Sequence, residues 1–168
     1  MKSQRLYSTE WSTDLVNLLE IIELDFGFKS YCYPPSYDLS SLDKRIQFIK
    51  NKISIRSIHG DCKTPVFTNL DSEFVGLIGF EPFIFEGQNY FEIGFRLLKT
   101  HWGKGYACEF ASELIKDFIF RRPNEKIGAL VHIENQRSHK TVIKLGFTEF
   151  KEFIHNDENH IWYNYSGK

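Results

Sequence analysis

Three β-rich segments follow one another into a turn that contains two glycines, and this succession constrains the fold more than any other feature of the chain. The segments cover residues 65–70, 73–85 and 89–98, and turn-forming residues separate them. Because the connections are short, the segments predict an antiparallel meander. The third segment leads directly into "THWGKGYACEF", residues 100–110, which ends with the apolar spacing of a helix.

Two helices are predicted before the meander. Apolar residues three or four positions apart mark the first helix, and Ser12 or Thr13 is available to cap it: Leu15, Leu18, Leu19 and Ile22. The sequence "YPP" at residues 33–35 then breaks the chain. A second helix is predicted to begin near Ser40, on the spacing of Leu39, Leu42, Ile46 and Ile49.

The glycine-containing turn is followed by a long helix that continues until the sequence "RRPN". A strand over residues 127–132, a helix starting at Asn135 and two strands over residues 147–154 and 160–165 complete the chain. The predicted order is therefore αα-βββ-α-β-α-ββ. With 168 residues and neither a linker nor a repeat, the sequence predicts one domain over residues 1–168.

Charge and hydropathy argue against two classes of partner. Lysine and arginine together number 21 against 22 aspartates and glutamates, and no basic block stands out, so we predict no nucleic-acid binding. No apolar run approaches the ~20 residues that cross a bilayer, and the first residues carry no apolar signal region. We therefore predict no membrane association and a cytoplasmic location.

Cysteines and histidines form no disulfide or metal pattern. Cys32, Cys62 and Cys108 are widely spaced and none belongs to a CxxC pair, so we predict free thiols. His132 and His139 lie seven residues apart across a strand-to-helix junction, outside the spacing that places two ligands on one helix face. We therefore predict no bound metal.

The glycine-containing turn has the composition of an anion-binding site. A turn that opens a helix presents unpaired backbone N–H groups at the positive end of the helix dipole, which favours phosphate. A P-loop needs G-x-x-x-x-G-K-[ST], whereas here Lys104 lies between Gly103 and Gly105. A dinucleotide-binding fingerprint needs a third small residue at a place where this chain has none, and a parallel sheet.

Two segments resemble the GNAT N-acetyltransferases, in particular the branch that contains the ribosomal-protein N-terminal acetyltransferases. The family's coenzyme A turn is (Gln/Arg)-x-x-Gly-x-(Gly/Ala), and "WGKGYA" at residues 102–107 is similar to it except at the first position. "NQRSHKTVIKLGF" at residues 135–147 resembles the branch's N-x-x-S-x-x-x-(V/L)-x-K-L-G-F segment. "FEIGF" and "ENHIWYNY" are also similar to that branch.

The resemblance implies a fold and an activity. The implied fold is α+β in three layers, with a mixed, mostly antiparallel sheet of six or seven strands that splays to admit acetyl-CoA, flanked by about four helices. The implied activity is direct transfer of an acetyl group from acetyl-CoA to a primary amine in a ternary complex. The two motifs favour a protein N-terminal α-amine as the acceptor.

Three alternatives stay open at this point. The first is that the acceptor is a small amine such as a polyamine, an amino acid or an aminoglycoside. The second is that the chain is a non-catalytic acyl-CoA-binding module. The third is that the turn serves a nucleotide-binding interaction protein, and the missing P-loop residues count against it. The chain is a monomer or a homodimer, and its sequence favours neither.

The resemblance also implies which residues hold the donor. The turn residues are expected to bind coenzyme A: Trp102, Gly103, Lys104, Gly105, Tyr106 and Ala107. The side chain of Lys104 adds a charge to the phosphates or is simply solvated.

The thioester carbonyl needs hydrogen-bond donors, and the third meander strand is expected to supply them. Gly94 predicts a bulge or a close backbone approach in this strand, where GNAT sheets splay. Backbone amides of Phe95, Arg96 and Leu97 are therefore the expected donors.

An acceptor amine arrives mostly protonated, so the reaction needs a base. Glu92 is the first candidate, because it shares a strand face with Tyr90, Gly94 and Arg96 and is similar to an acidic residue that the family often carries there. Two alternatives remain: Glu92 simply pairs with Arg96, or another base acts through water, namely Glu73, Glu81 or His132.

The departing thiolate needs a proton, and many GNATs supply it from a tyrosine at the position that is Val142 here. Ser138 matches the serine of the N-terminal acetyltransferase branch and is the alternative donor; equally, it is a first-turn hydroxyl bonded to the backbone. Asn135 is predicted to cap its helix and to bond the pantetheine amides.

Overall fold

The computed structural model describes residues 1–31 and 38–167 as a seven-stranded sheet with helices on both faces. The strands are β1 Leu6–Ser8, β2 Lys63–Thr68, β3 Phe74–Phe85, β4 Gln88–Leu97, β5 Ile127–His132, β6 Phe147–His155 and β7 Glu158–Tyr165. The helices are α1 Val16–Leu24, the single turn α2 Phe26–Lys29, α3 Leu42–His59, α4 Tyr106–Arg121 and α5 Gln136–Lys144, with 3-10 turns at Thr13–Leu15 and Lys99–His101. Cys32 and the predicted break at residues 33–35 lie outside the described residues.

The sheet order is β1-β2-β3-β4-β5-β7-β6. Every neighbouring pair is antiparallel except β4 and β5, which run parallel. The predicted mixed, mostly antiparallel sheet of six or seven strands is thereby confirmed. The edge strand β1 is an addition to the prediction, because three residues are too short to show an alternating pattern.

Two apolar cores, one on each face of the sheet, give the three layers. The larger core joins α4 and α5 to the sheet and includes Phe91, Ile93 and Leu97 of β4. The second core packs α1 and α3 against the opposite face. Since side chains alternate along a strand, the even-numbered residues of β4, Glu92 among them, lie on the side of α1 and α3.

The early helices differ from the prediction at their ends. The first begins as a 3-10 turn, and Ser12 makes no side-chain capping bond. The second begins at Leu42, capped by Ser41, whose hydroxyl accepts the Lys44 N–H. Leu42 itself is 57% exposed, so the predicted apolar stripe points inward only in part.

Three further properties concern the predictions on membranes, thiols and metals. In the described ranges no helix is long and apolar enough to cross a bilayer. Cys62 is buried and Cys108 half-buried, and both are free thiols. Residues 1–31 and 38–167 contain no group of three or more His, Cys, Asp and Glu side chains arranged to hold a metal ion.

Candidate active site

The parallel strands β4 and β5 separate after a short contact. They pair only at Phe91 with Ile127 and at Glu92 with Gly128. Beyond that point the strands enclose a cavity of about 520 Å³, which residues of both strands line. The splayed sheet predicted from the resemblance is confirmed.

The cavity passes through the sheet. On the side of α4 and α5 its wall includes Trp102, Gly103 and Ala107 together with the first turns of α5. On the side of α1 and α3 the wall includes Glu92, Lys63, Arg96, His132 and Tyr31. Two molecules can therefore approach the same gap from opposite faces.

The glycine turn, residues 102–107, has the backbone that its sequence predicts. Gly103 and Gly105 have φ values of 75° and 79°, in the left-handed region that favours glycine. Gly105 is the N-cap of α4 and offers no side chain to cap it. The first N–H groups of α4 therefore stay open to an anion.

The turn residues divide between the cavity wall and the outside. Trp102, Gly103 and Ala107 line the cavity, whereas Lys104, Gly105 and Tyr106 do not. The ammonium of Lys104 lies 5.9 Å from the centre of the Tyr106 ring. The positive charge of Lys104 therefore lies near the turn but outside the cavity wall.

Two of the three predicted amide donors of β4 face the gap. Phe91 donates its N–H toward β5, to the Lys126 carbonyl at 2.8 Å, whereas Leu98 donates toward β3, to Val75 at 3.0 Å. Because successive N–H groups of a strand point to opposite sides, the odd-numbered Phe95 and Leu97 direct theirs into the gap. The Arg96 amide faces β3, and its side chain lines the cavity.

Glu92 has an ion-pair partner that the sequence did not indicate. Its side chain is only 13% exposed, and its Oε2 accepts a hydrogen bond from Lys63 Nζ at 2.7 Å. Lys63 lies on β2, two strands away from β4. The pairing holds the Glu92 carboxylate in one position at the cavity wall.

Gly94 permits this pairing. A Cβ at residue 94 would overlap the end of the Lys63 side chain, so the glycine lets the lysine extend from β2 over β3 and lie against β4 beside Glu92. The register of β3 and β4 continues without a shift through the pair Gly79 and Gly94. The bulge prediction is therefore wrong for this pair of strands, and the atoms nearest to Gly94 belong to the Lys63 side chain rather than to another backbone segment.

The same lysine joins a second carboxylate. Lys63 Nζ lies 3.6 Å from Glu81, which also binds Lys52 of α3. Burial raises the pKa of Glu81, but the ammonium groups of Lys63 and Lys52 outweigh it and lower that pKa to about 2. Glu81 is outside the cavity wall, and its lowered pKa makes it a poor base.

The other two alternative bases have poorer positions than Glu92. Glu73 is largely exposed, lies 3.5 Å from His101, and is not part of the cavity wall. His132 does line the cavity, but its Nδ1 accepts the Glu134 N–H at 3.2 Å. The Nδ1 lone pair of His132 is therefore already engaged by the backbone.

The start of α5 places Asn135 and Ser138 on the cavity wall. Asn135 Oδ1 accepts the Ser138 N–H at 3.1 Å, which confirms the predicted cap. Among residues 1–31 and 38–167 the Ser138 hydroxyl has no hydrogen-bond partner, so it is not tied to the backbone. Val142 is fully buried at the same wall, where it provides no proton.

Sequence reasoning missed two cationic side chains of the wall. One is Lys63, which the sequence could have indicated only by the presence of a lysine at the start of a mostly apolar strand. The other is Arg137 of α5, whose guanidinium lies 4.6 Å from the centre of the Trp102 ring. This stacking joins the glycine turn to the start of α5 across the cavity.

The sequence from residue 5 to residue 148 matches the profile of the Acetyltransferase (GNAT) domain. The chain belongs to the GNAT acetyltransferase family. Among its relatives, the uncharacterized N-acetyltransferase YoaA of Bacillus subtilis (strain 168) is 24% identical over 110 residues. The match covers 66% of this GNAT chain and 62% of YoaA, so it spans less than two thirds of that relative.

Two solved structures are similar to this GNAT chain. A GNAT-family acetyltransferase from Bordetella pertussis superposes with a TM-score of 0.81 at 16% identity, covering 99% of this chain and 98% of that chain. RimL, a ribosomal alpha-N-protein acetyltransferase in complex with coenzyme A, superposes with a TM-score of 0.80 at 16% identity, covering 96% of this chain and 94% of that chain. At these identities the likeness establishes the fold.

Proposed function

We propose that this GNAT protein transfers the acetyl group of acetyl-CoA to a primary amine, with a protein N-terminal α-amine as the preferred acceptor. The observation that carries the proposal is the cavity through the sheet between β4 and β5. The glycine turn lies at one opening, and Glu92 lies on the other face. Donor and acceptor then have separate entrances and meet between the strands.

The donor side has groups suited to each part of acetyl-CoA. The glycine turn and the first N–H groups of α4 bind the pyrophosphate, and Lys104 adds a positive charge outside it. Asn135 bonds the pantetheine amides. The amides of Phe95 and Leu97 point into the gap, where they stabilise the oxygen that becomes negative as the thioester is attacked.

The reaction moves protons at two places, the acceptor amine and the sulfur. Glu92 accepts a proton from the acceptor ammonium, directly or through one water, and passes it to solvent. The free amine attacks the carbonyl carbon, the C–S bond breaks, and the sulfur leaves as a thiolate. The thiolate takes a proton from the Ser138 hydroxyl, and the amide nitrogen releases the proton that restores the hydroxyl. The products are the acetylated amine and coenzyme A.

Ser138→Ala is expected to lower kcat by about tenfold or more, because the thiolate would then leave without a positioned proton donor. The KM for acetyl-CoA should change little, since the capping bond of Asn135 uses the Ser138 backbone. Steady-state thiol release measures both constants. Ser166→Ala removes a hydroxyl that is not part of the cavity wall and is the control. An unchanged kcat in Ser138→Ala would assign the proton to solvent.

Exposed apolar side chains close in sequence to the acceptor side of the cavity support a peptide acceptor. Tyr31 lines the cavity at the end of α2. Nearby in the chain, Leu24 and Phe26 are 80% and 82% exposed. Apolar surface of this kind suits the residues that follow the first residue of a peptide better than it suits a small polycation. The α-N-protein acetyltransferase RimL, which has the same fold, is consistent with this choice.

A thiol-release assay with acetyl-CoA tests the proposal. The acceptors are a panel of N-terminal peptides, polyamines, amino acids and aminoglycosides, and coenzyme A binding is measured in parallel by calorimetry. Thiol release with peptides supports the proposal in full. Thiol release with one of the small amines instead supports acetyl transfer but identifies a different acceptor. Coenzyme A binding without release from any acceptor would favour the non-catalytic module.

A further inference from the structure

The segment before β1 is attached to the glycine turn. Arg5 Nη2 donates to the Lys104 carbonyl at 3.1 Å, between the two left-handed glycines. The same guanidinium lies 4.7 Å from the centre of the Tyr106 ring, in the range of a cation–π contact. Arg5 is therefore in contact with residues that the sequence places more than ninety positions away.

The bond to Lys104 fixes the direction of one amide of the turn. The carbonyl of Lys104 and the N–H of Gly105 belong to one planar trans peptide unit, so they point in opposite directions. Because Arg5 holds the carbonyl on its own side, the Gly105 N–H points away from Arg5. Loss of the bond would let this peptide unit rotate more freely, because Gly105 on its C-terminal side permits many backbone conformations.

Arg5 also compensates a negative charge at the start of α4. The Glu109 carboxylate accepts hydrogen bonds from the Arg5 N–H at 2.8 Å, Arg5 Nε at 2.7 Å and the Ser3 hydroxyl at 2.7 Å. Burial raises the pKa of Glu109, but these donors outweigh it and the pKa is lowered. Glu109 is therefore ionised, and in the first turn of α4 its charge would repel an anion bound there.

We propose that Arg5 is a positioning residue for the anion site of the glycine turn. It holds the peptide unit between Lys104 and Gly105, and it neutralises Glu109 so that the N-terminus of α4 remains attractive to a diphosphate. The inference rests on the proposed binding of acetyl-CoA. It adds that the affinity of the turn for the donor's phosphates depends on a residue outside both family motifs.

The test compares donors with and without phosphate groups. Arg5→Gln is expected to raise the Kd of coenzyme A and the KM of acetyl-CoA by about tenfold, within the range of charge effects at a helix N-terminus. The kcat should stay within about twofold. With S-acetylpantetheine, which lacks the diphosphate, Arg5→Gln and the parent protein should give equal rates.

A double variant separates charge from structure. Glu109→Gln in the Arg5→Gln background should recover at least half of the loss in log Kd, because the uncompensated carboxylate is removed. Arg56→Gln breaks another surface arginine–glutamate pair, with Glu10 at 2.8 Å, and should leave the Kd of coenzyme A unchanged.

Two results would overturn the inference. One is a coenzyme A affinity of Arg5→Gln equal to that of the parent. The other is an equal loss with both donors, which would assign Arg5 a purely structural role. Failure of the parent protein itself to bind coenzyme A would contradict the proposed function instead, so the two failures are distinguishable.

Discussion

Glu92→Gln is expected to lower kcat for acetyl transfer by about 10²–10⁴-fold, the range typical of losing a positioned general base. The amide keeps the size of the side chain but cannot take the proton of the acceptor ammonium. Its Kd for coenzyme A should stay close to that of the parent, because Glu92 lies on the acceptor side of the cavity. Thiol release from pH 6 to 9, with calorimetry for coenzyme A, measures both quantities.

Glu81→Gln is the matched control for Glu92. The Glu81 carboxylate lies 3.6 Å from Lys63 Nζ and the Glu92 carboxylate 2.7 Å from it, but of the two only Glu92 lines the cavity. If the two variants lose activity equally, the effect comes from breaking the buried ion pairs. If Glu92→Gln keeps kcat within about threefold of the parent, the assignment of Glu92 as the base is wrong.

Gly128→Ala is expected to lower the free energy of unfolding by about 2–3 kcal/mol, as is usual for overpacking a core. A Cβ at residue 128 would overlap the ring of Trp162, which is fully buried. Phe85 stacks on the same indole with ring centres 4.6 Å apart, so Trp162 has little room to move. Urea unfolding measures the change.

Gly128 also pairs with Glu92 at the point where β4 and β5 separate, so Gly128→Ala should reduce activity as well. A double-mutant cycle with Trp162→Leu identifies the cause. If the overlap is responsible, the double variant should be more stable than the sum of the two single changes implies. Strict additivity would contradict the packing explanation.

Local patterns were sufficient to predict the glycine turn and the helices on either side of the cavity. The two glycines and the helical spacing after Tyr106 are properties of adjacent residues, and the structure gives both glycines a positive φ. The cap at Asn135 is also local, since it acts on Ser138 three residues on. Such features need no knowledge of the rest of the chain.

The acceptor side and the support of the glycine turn depend on contacts between distant residues, which a single sequence does not contain. Lys63 reaches Glu92 across 29 positions, and Gly94 matters because that lysine passes over it. The contact of Arg5 with the Lys104 carbonyl spans 99 positions. Each requires the sheet order to be known first, because strands that are remote in sequence become neighbours only in the folded sheet.

The most direct test of acetyl-CoA binding at the glycine turn is a calorimetric titration of coenzyme A into the parent protein, Gly103→Val and Gly87→Val. Both glycines have similar positive φ values, 75° and 74°, and open space around the missing side chain, but only Gly103 lines the cavity. We expect the parent and Gly87→Val to bind with similar Kd, and Gly103→Val to bind at least about tenfold more weakly, because its side chain occupies the phosphate position and strains the turn. A parent protein that does not bind coenzyme A, or a Gly103→Val that binds as the parent does, would contradict the account.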